Sequence, residues 1–110
     1  MHRVLFAVHR RKSLSTEQFL QHYRDVHVPI AVRFPRLRQY DIFPIEGDVS
    51  SGPDAFAIMT FDSPEDFEAV VASPEFGEAV ADNEHFVDHF DTYMVGHIPV
   101  VADGRSAAPA

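Results

Sequence analysis

The sequence contains no cysteine and no tryptophan. Without cysteine, the chain has no disulfide framework, no thiolate nucleophile and no cysteine-ligated zinc or iron–sulfur site. It also lacks any apolar stretch that approaches the roughly 20 residues of a membrane-spanning helix. Its N-terminus enters a strand-like segment at once, without the apolar region of a signal peptide. We therefore expect a cytoplasmic protein with no membrane partner.

Positive charge is scarce. Nine lysines and arginines stand against seventeen acidic residues, which gives a formal charge of -8. Such a chain repels phosphate backbones and anionic lipids, so we expect no nucleic-acid partner. The one basic run, from His9 to Lys12, is short and indicates either a solvated strand end or the entrance for an anionic substrate. Phosphate-binding-loop, dinucleotide-binding and nucleophile-elbow motifs are absent as well.

What is present is the composition of one globular domain. The chain has 110 residues, 45% of them hydrophobic, and contains ten phenylalanines and three tyrosines. This length suits a single core, and the aromatic side chains can either fill it or line an apolar cavity. We assign residues 1–101 to the domain and expect the small, polar tail 102–110 to be disordered.

The hydrophobic pattern predicts an α+β domain. Strand-like and helical segments alternate in the order β-α-β-β-α-β, which is typical of a ferredoxin-like, four-stranded antiparallel sheet with helices on one face. The predicted segments are a strand over 3–9, a helix from Ser15 to about Arg33, strands over 37–45 and 55–61, two short helices over 64–72 and 74–82, and a strand over 87–101. Residues 46–53 form a predicted loop.

The first helix has a clear start and an irregular end. Ser15 and Gln18 have the spacing of a capping box. Phe19, Tyr23, Val26 and Ile30 recur at helical spacing and form the predicted buried face. Pro29 removes one backbone donor, so we expect a kink or weakening near residues 25–29.

The face of the sheet opposite the helices is predicted to be apolar and therefore to be buried against another surface. The first and fourth strands carry apolar residues on both sides, and a bare sheet face would expose a large apolar patch. We therefore expect a homodimer.

Seven histidines are the most unusual feature of the composition. On a regular α-helix His22 and His27 lie about 140° apart, on opposite flanks of the apolar stripe, so they are predicted to border a cavity and not to chelate a metal. His85 and His89 have a spacing of four, but a strand that begins near residue 86 separates them. We expect no metal site and assign no role to His97.

Two further polar residues are candidates for chemistry. Tyr40 on the second strand can donate a hydrogen bond to a carbonyl, and Asp88 at the start of the fourth strand can orient a histidine. Both also have ordinary structural interpretations, at the edge of a core and at the end of an element. Phe6, Tyr23, Val26 and Phe86 are the predicted apolar contacts of a substrate.

The segment from Arg11 to Pro29, RKSLSTEQFLQHYRDVHVP, resembles the opening motif of the EthD family. Supporting matches follow at Phe34-Pro35, at 61–65 (Phe-Asp-Ser-Pro-Glu) and at 86–88 (Phe-Val-Asp). The resemblance implies a dimeric α+β barrel, in which two four-stranded sheets pack face to face. It carries the family's polar positions over to His22, His27, Tyr40 and Asp88. Many relatives have an acidic residue in the third strand where this chain has Ile58.

Relatives with this fold include isomerases, polyketide cyclases, dehydratases and cofactor-independent monooxygenases, so the fold alone does not choose the reaction. Our first hypothesis is a cofactor-independent enzyme in which His27, helped by Tyr40 or Asp88, moves a proton on a small cyclic or aromatic substrate. A non-catalytic dimeric binding or accessory protein is the second hypothesis. A monooxygenase acting on an activated aromatic compound or on haem is the third.

Overall fold

A computed structural model describes residues 1–47, 51–102 and 104–106. The remaining part of the predicted loop (48–50) and most of the predicted tail (103 and 107–110) lie outside the described residues.

The sheet follows the predicted order of elements. Strands β1 (His2–Arg10), β2 (Gln39–Pro44), β3 (Ala55–Phe61) and β4 (Val87–Val95) pair antiparallel in the order β2-β3-β1-β4. This is the predicted ferredoxin-like sheet, and the fold prediction is confirmed. Pro44 lies on an edge strand, where its missing amide costs no ladder hydrogen bond.

The first helical segment changes its hydrogen-bond pattern midway. Helix α1 (Thr16–His22) begins with the predicted capping box, in which the Gln18 amide donates to Ser15 Oγ at 3.1 Å and the Ser15 amide donates to Gln18 Oε1 at 2.9 Å. A π-helical turn (Tyr23–His27) follows, and then helix α2 (Val28–Ala31).

The π-helical turn is the irregularity that we predicted near residues 25–29 from the position of Pro29. Because Pro29 has no amide hydrogen, the carbonyl of Asp25 loses its α-helical donor. The Val28 amide instead donates to the carbonyl of Tyr23, five residues earlier. This extra residue in the turn rotates Val26 outward, where its side chain is 43% exposed. The prediction that Val26 belongs to the buried stripe is therefore wrong.

Two serine-capped helices follow β3. Helix α3 (Pro64–Val71) begins at the Ser63 cap, and helix α4 (Pro74–Asn83) begins at the Ser73 cap. Each has proline in its first turn, where the amide has no intrahelical partner. The division into two short helices agrees with the sequence pattern.

The core lies between the helices and one face of the sheet. One cluster, around Val4, Phe61 and Val70, packs beneath α2, α3 and α4. A second cluster joins Phe19 and Tyr23 of the first helical segment to the fully buried Phe86 just before β4. The second cluster is the one that supports the candidate site.

The fourth strand is shorter than predicted. It ends at Val95, before Gly96, and a separate two-residue strand β5 (Val101–Ala102) pairs with β6 (Arg105–Ser106) around Gly104, whose φ is +77°. Gly104 tolerates this left-handed conformation because it has no Cβ. Among the described residues, no helix combines the length and hydropathy needed to cross a membrane.

Candidate functional site

The polar centre of the helical layer is Asp82, near the end of α4. Its side chain is only 7% exposed. Its carboxylate accepts a hydrogen bond from His22 Nε2, at 2.9 and 3.1 Å to its two oxygens, and another from His27 Nδ1 at 3.0 Å. Three of the chain's titratable groups thus form one cluster, which we call the Asp82 cluster.

The π-helical turn is what brings the two histidines together. A regular α-helix separates His22 and His27 by about 140°, the arrangement predicted from the sequence. In a π-helical turn, residues five apart are hydrogen-bonding neighbours and lie on the same side. The prediction that the two histidines lie on opposite flanks is therefore wrong, because both reach the same carboxylate.

His27 is held in a defined state by this contact. Burial lowers the pKa of His27, an effect that outweighs the hydrogen bond and charge of Asp82, which raise it. A neutral imidazole that donates its Nδ1 proton to Asp82 keeps its lone pair on Nε2. The arrangement is that of a base whose tautomer is fixed by a carboxylate.

Phe86 separates the Asp82 cluster from the sheet. Its ring stacks on His22 with a centroid distance of 4.8 Å and lies 4.9 Å from the ring of His27. It also contacts Tyr23 edge to face at 5.2 Å. An apolar ring packed against both imidazoles excludes water and strengthens the electrostatic contacts to Asp82.

Tyr23 and Tyr40 form a second polar pair beside the first. Burial raises the pKa of Tyr23 to about 12, with a hydrogen bond from Tyr40 acting in the opposite direction. Burial, the charge of an ionised Tyr23 and the same hydrogen bond raise the pKa of Tyr40. Both phenols are thus neutral hydrogen-bond donors at physiological pH. Tyr23 joins this pair to the histidines, since its ring contacts His27 edge to face at 5.5 Å.

A small apolar cavity of about 60 Å³ lies between α4 and the sheet. Its lining is almost entirely aliphatic and aromatic: Phe6, Val8, Tyr23, Phe76, Ala79, Val80, Asn83, Phe86, Val87 and Phe90. Three of the four predicted substrate contacts, Phe6, Tyr23 and Phe86, therefore line one cavity. Val26 does not, and instead lines a shallow surface groove beside His22.

His27 lies behind this cavity and does not line it. Its ring contacts Tyr23 and Phe86, and those two rings form part of the cavity wall. The sequence predicted that His27 faces the space between helix and sheet, whereas in the structure its Nδ1 points to Asp82 on α4.

Asp88 is not brought to the histidines of the Asp82 cluster. It is exposed at the start of the edge strand β4, where its Oδ2 accepts a 2.6 Å hydrogen bond from Nδ1 of the adjacent His89. This hydrogen bond is the main reason that the pKa of Asp88 lies below its usual range. Asp82 holds the place that the sequence analysis gave to Asp88.

The sequence held a signal for Asp82 that the analysis missed. Phe76, Ala79 and Asp82 recur at a spacing of three along α4, so the carboxylate continues the buried stripe of that helix. An acidic residue on such a stripe needs a buried partner. The histidines of the first helix are the available ones.

Ile58 lies on the other side of the molecule. It pairs with Leu5 and Asp41 in the sheet and alternates with Ala57 and Met59, which face the helices. An acidic residue at this position would lie on the open face of the sheet, remote from the Asp82 cluster.

Comparison with known proteins identifies the fold and the family. The chain is similar to an ethyl tert-butyl ether D family protein from Bacillus halodurans C-125, with 20% identity and a TM-score of 0.74 over 89% of this chain and 100% of that one. A putative antibiotic biosynthesis monooxygenase from Nitrosomonas europaea is 16% identical, with a TM-score of 0.64 over 89% of this chain and 99% of that one.

A dimeric ferredoxin-like protein of unknown function from Thermobifida fusca YX is 14% identical, with a TM-score of 0.66 over 87% of this chain and 90% of that one. No curated protein matches the sequence. The profile of the EthD domain matches residues 11–89, a span that includes the motif from Arg11 to Pro29, the Asp82 cluster and Phe86. The chain belongs to the EthD family.

Proposed function

We propose that the protein is a cofactor-independent enzyme in which His27 acts as a general base on a small cyclic or aromatic substrate. The observation that carries this proposal is the shared carboxylate of Asp82, which accepts from both His22 and His27 while nearly buried. A buried carboxylate that fixes the tautomer of a neutral imidazole is the usual support of a catalytic base.

The roles of the other groups follow from their surroundings. His22 is more exposed than His27, with 23% against 12% of the side chain accessible, and it shares the negative charge of Asp82. Its proximity lowers the pKa of His27, which favours the neutral imidazole that a base requires. Tyr23, which accepts the hydrogen bond of Tyr40 and lines the cavity, supplies a neutral O–H donor for a carbonyl or enolate oxygen.

The cavity is too small to hold a ring-sized substrate unless it opens. Its volume of about 60 Å³ is far below the 300 Å³ or more of typical ligand pockets. A ring-sized substrate must therefore open the cavity and displace Phe86 to reach His27. Val80 and Phe90, which are 45% and 40% exposed, line the cavity where little packing would be disrupted by an entering substrate.

Proton removal by His27 is compatible with more than one reaction. Returning the proton to a different carbon gives an isomerisation, and loss of a β-hydroxyl gives a dehydration. The name of the Nitrosomonas europaea protein adds oxygenation as an alternative. There, removal of a proton would activate an electron-rich ring toward O₂ without a cofactor.

The small cavity favours a second candidate function. A protein whose buried histidines are structural, and which binds or assists another protein's substrate without converting it, needs no opening of the Phe86 wall. The two candidates differ in the state of His27, since only a base needs a neutral imidazole with a reactive Nε2.

We also propose that the protein acts as a homodimer through the open face of the sheet. Phe43 and Tyr93 on this face are 50% and 54% exposed, and Leu5, Phe56 and Ile58 lie between them. The dimeric description of the Thermobifida fusca protein supports this arrangement.

The first test is the protonation state of His27, measured by ¹⁵N NMR of the imidazole side chains. We expect a neutral ring at pH 7 with its proton on Nδ1. The second test follows deuterium incorporation from D₂O into the α-carbons of small cyclic ketones. Wild-type protein should accelerate this exchange, and His27→Gln should slow it by about 10²- to 10⁴-fold.

His97→Gln is the matched control, because His97 is exposed and lies outside the Asp82 cluster. It should leave both measurements unchanged. A charged imidazolium at pH 7, or exchange rates equal in wild type and His27→Gln, would reject the base and favour the non-catalytic candidate.

A further inference from the structure

A second cluster of metal-ligating side chains lies on the open face of the sheet, away from the Asp82 cluster. His9 on β1 is directly opposite His89 on β4, and Asp91 is two residues further along β4 on the same face. One ligand atom from each of these three residues lies within 4.8 Å of the other two. We call this group the His9 cluster.

We propose that the His9 cluster binds a divalent transition-metal ion, with His9, His89 and Asp91 as ligands and water in the remaining positions. Two imidazoles and one carboxylate are donors suited to Zn²⁺ and its neighbours in the first transition row. From the sequence we expected no metal, because the chain has no cysteine, because His22 and His27 were placed too far apart to chelate, and because a strand separates His85 from His89. The turn before β4 separates those two residues, and the strand pairing gives His89 another partner.

The backbone holds the two histidines in register. Residues directly opposite in an antiparallel pair have Cβ atoms about 5 Å apart. The rings of His9 and His89 are stacked, with centroids 3.9 Å apart and planes 17° from parallel. Because one nitrogen of each ring already lies within 4.8 Å of the other and of an Asp91 oxygen, the three side chains can converge on a common ion without movement of the strands.

A separate observation points to metal binding by His89. Its Nδ1 donates a 2.6 Å hydrogen bond to the Asp88 carboxylate, which leaves the lone pair on Nε2. Histidine ligands of metal ions typically donate their other nitrogen to a carboxylate in this way, and the contact fixes the ring and raises its basicity. Asp88 thereby acquires a positioning role that differs from the catalytic one predicted for it.

The surroundings of the cluster add to its affinity for a cation. Asp88 and Asp91 supply negative charge beside the two imidazole rings. Arg10 and Lys12 border the same surface pocket as His9 and His89. The guanidinium of Arg10 is engaged by Asp54, with an Nε–Oδ1 distance of 3.4 Å, so Lys12 supplies the remaining positive charge. The cluster lies on the edge strand β4 and near the end of β1, at the rim of the open face. His9 is half-buried, whereas His89 and Asp91 are exposed, so an ion from solvent can reach the site at the rim of the proposed dimer interface.

The test is a calorimetric titration of Zn²⁺ into chelator-treated full-length protein that carries no affinity tag. We expect one Zn²⁺ per chain. Asp88→Asn should weaken binding by about 10- to 100-fold, and His89→Ala or His9→Ala should weaken it further. Co²⁺ in place of Zn²⁺ should give visible absorption bands that disappear in His89→Ala.

His97→Ala, which removes an exposed histidine outside the cluster, should bind Zn²⁺ as the wild type does. Equal affinity in wild type and His89→Ala would overturn the proposal. So would Zn²⁺ binding that is lost in His27→Gln and retained in His89→Ala, because the ion would then belong to the Asp82 cluster. Since none of the three ligands touches the Asp82 cluster, this result is independent of the proposed enzyme activity.

Discussion

At the scale of single residues, the balance between burial and hydrogen bonding at Asp82 decides the properties of the site. Asp82 accepts from two imidazole N–H groups while its side chain is nearly buried, and these two donors replace the water that burial removes. Replacing the carboxyl group leaves a buried donor or acceptor without a partner.

Asp82→Asn is therefore expected to destabilise the protein by about 1–3 kcal/mol, the usual cost of an unsatisfied buried polar group. If the amide oxygen takes the Oδ2 position, it can still accept from both histidines, but the amide NH₂ group then occupies the Oδ1 position and faces the N–H donor of His22. The free energy of unfolding by urea measures the loss. Asp62→Asn is the control, because Asp62 pairs with Arg38 on the surface and is 49% exposed. That change should cost less than about 1 kcal/mol. Equal losses in the two variants would contradict the assigned role of Asp82.

Stability should also depend on pH through His27. Burial lowers the pKa of His27 in the folded protein, whereas in the unfolded chain it stays near its ordinary value of about 6.5. As the pH falls below that value, the unfolded chain binds a proton that the folded protein does not, so stability decreases. The slope attributable to one proton is at most about 1.4 kcal/mol per pH unit. Urea unfolding between pH 5 and 7 should show a shallower slope for His27→Gln than for wild type or His97→Gln. An unchanged slope in His27→Gln would argue against a buried neutral imidazole.

At the scale of elements, the fold could be predicted from the sequence, whereas the Asp82 cluster could not, because the cluster depends on the π-helical turn. Strand and helix order follow from hydrophobic period, serine caps and prolines, which are local signals. Pro29 marked the irregular position, but not how the freed backbone would be satisfied. The switch from a spacing of four to five changes which side chains share a face.

Asp82 shows the second limit of sequence analysis. Its partners are 60 and 55 residues away in the chain. Only the packing of α4 against the first helical segment brings them together. Asp88 matched the family pattern by its place in the sequence, and its exposure on an edge strand depends on how β4 pairs with β1.

A π-helical turn is an α-helical turn with one residue added, and this leads to a prediction. Deleting the exposed Asp25 should convert the segment into an α-helix that lacks only the hydrogen bond of Pro29, and in which His22 and His27 are four residues apart and still share a face. Both contacts to Asp82 should survive, and the imidazole NMR signals should remain those of the wild type. Deleting the exposed Ala81 in α4 is the comparison, since it rotates the start of that helix by about 100° relative to Asp82. It should lower the melting temperature far more. Loss of the His27 signal in the Asp25 deletion would show that the π-helical geometry itself is required.

At the scale of the whole molecule, the two faces of the sheet differ in how far they are covered. The helices cover one face and enclose the core, whereas the other carries half-exposed aromatic side chains next to the His9 cluster. The charge of -8 on each chain opposes association, so a dimer must be held by apolar contact. Added salt screens the repulsion and should strengthen such a dimer.

Ile58 is the residue whose substitution tests the dimer most directly, because it lies in the middle of the open face on the inner strand β3. In a dimer that packs sheet against sheet, Ile58→Lys would put an ammonium group into the apolar interface, with the half-buried Asp41 opposite it on β2. The dissociation constant should rise by about 10²-fold or more, because the desolvation of the ammonium group exceeds its attraction to one carboxylate. Val71→Lys is the matched control: Val71 is 47% exposed at the end of α3, on the helical side, and the change should leave association unaffected. Light scattering at tens of micromolar should give a dimer for wild type and Val71→Lys and a monomer for Ile58→Lys, all three with the same circular dichroism spectrum. A folded wild-type monomer at that concentration, or an Ile58→Lys dimer, would show that the open face of the sheet is not the interface.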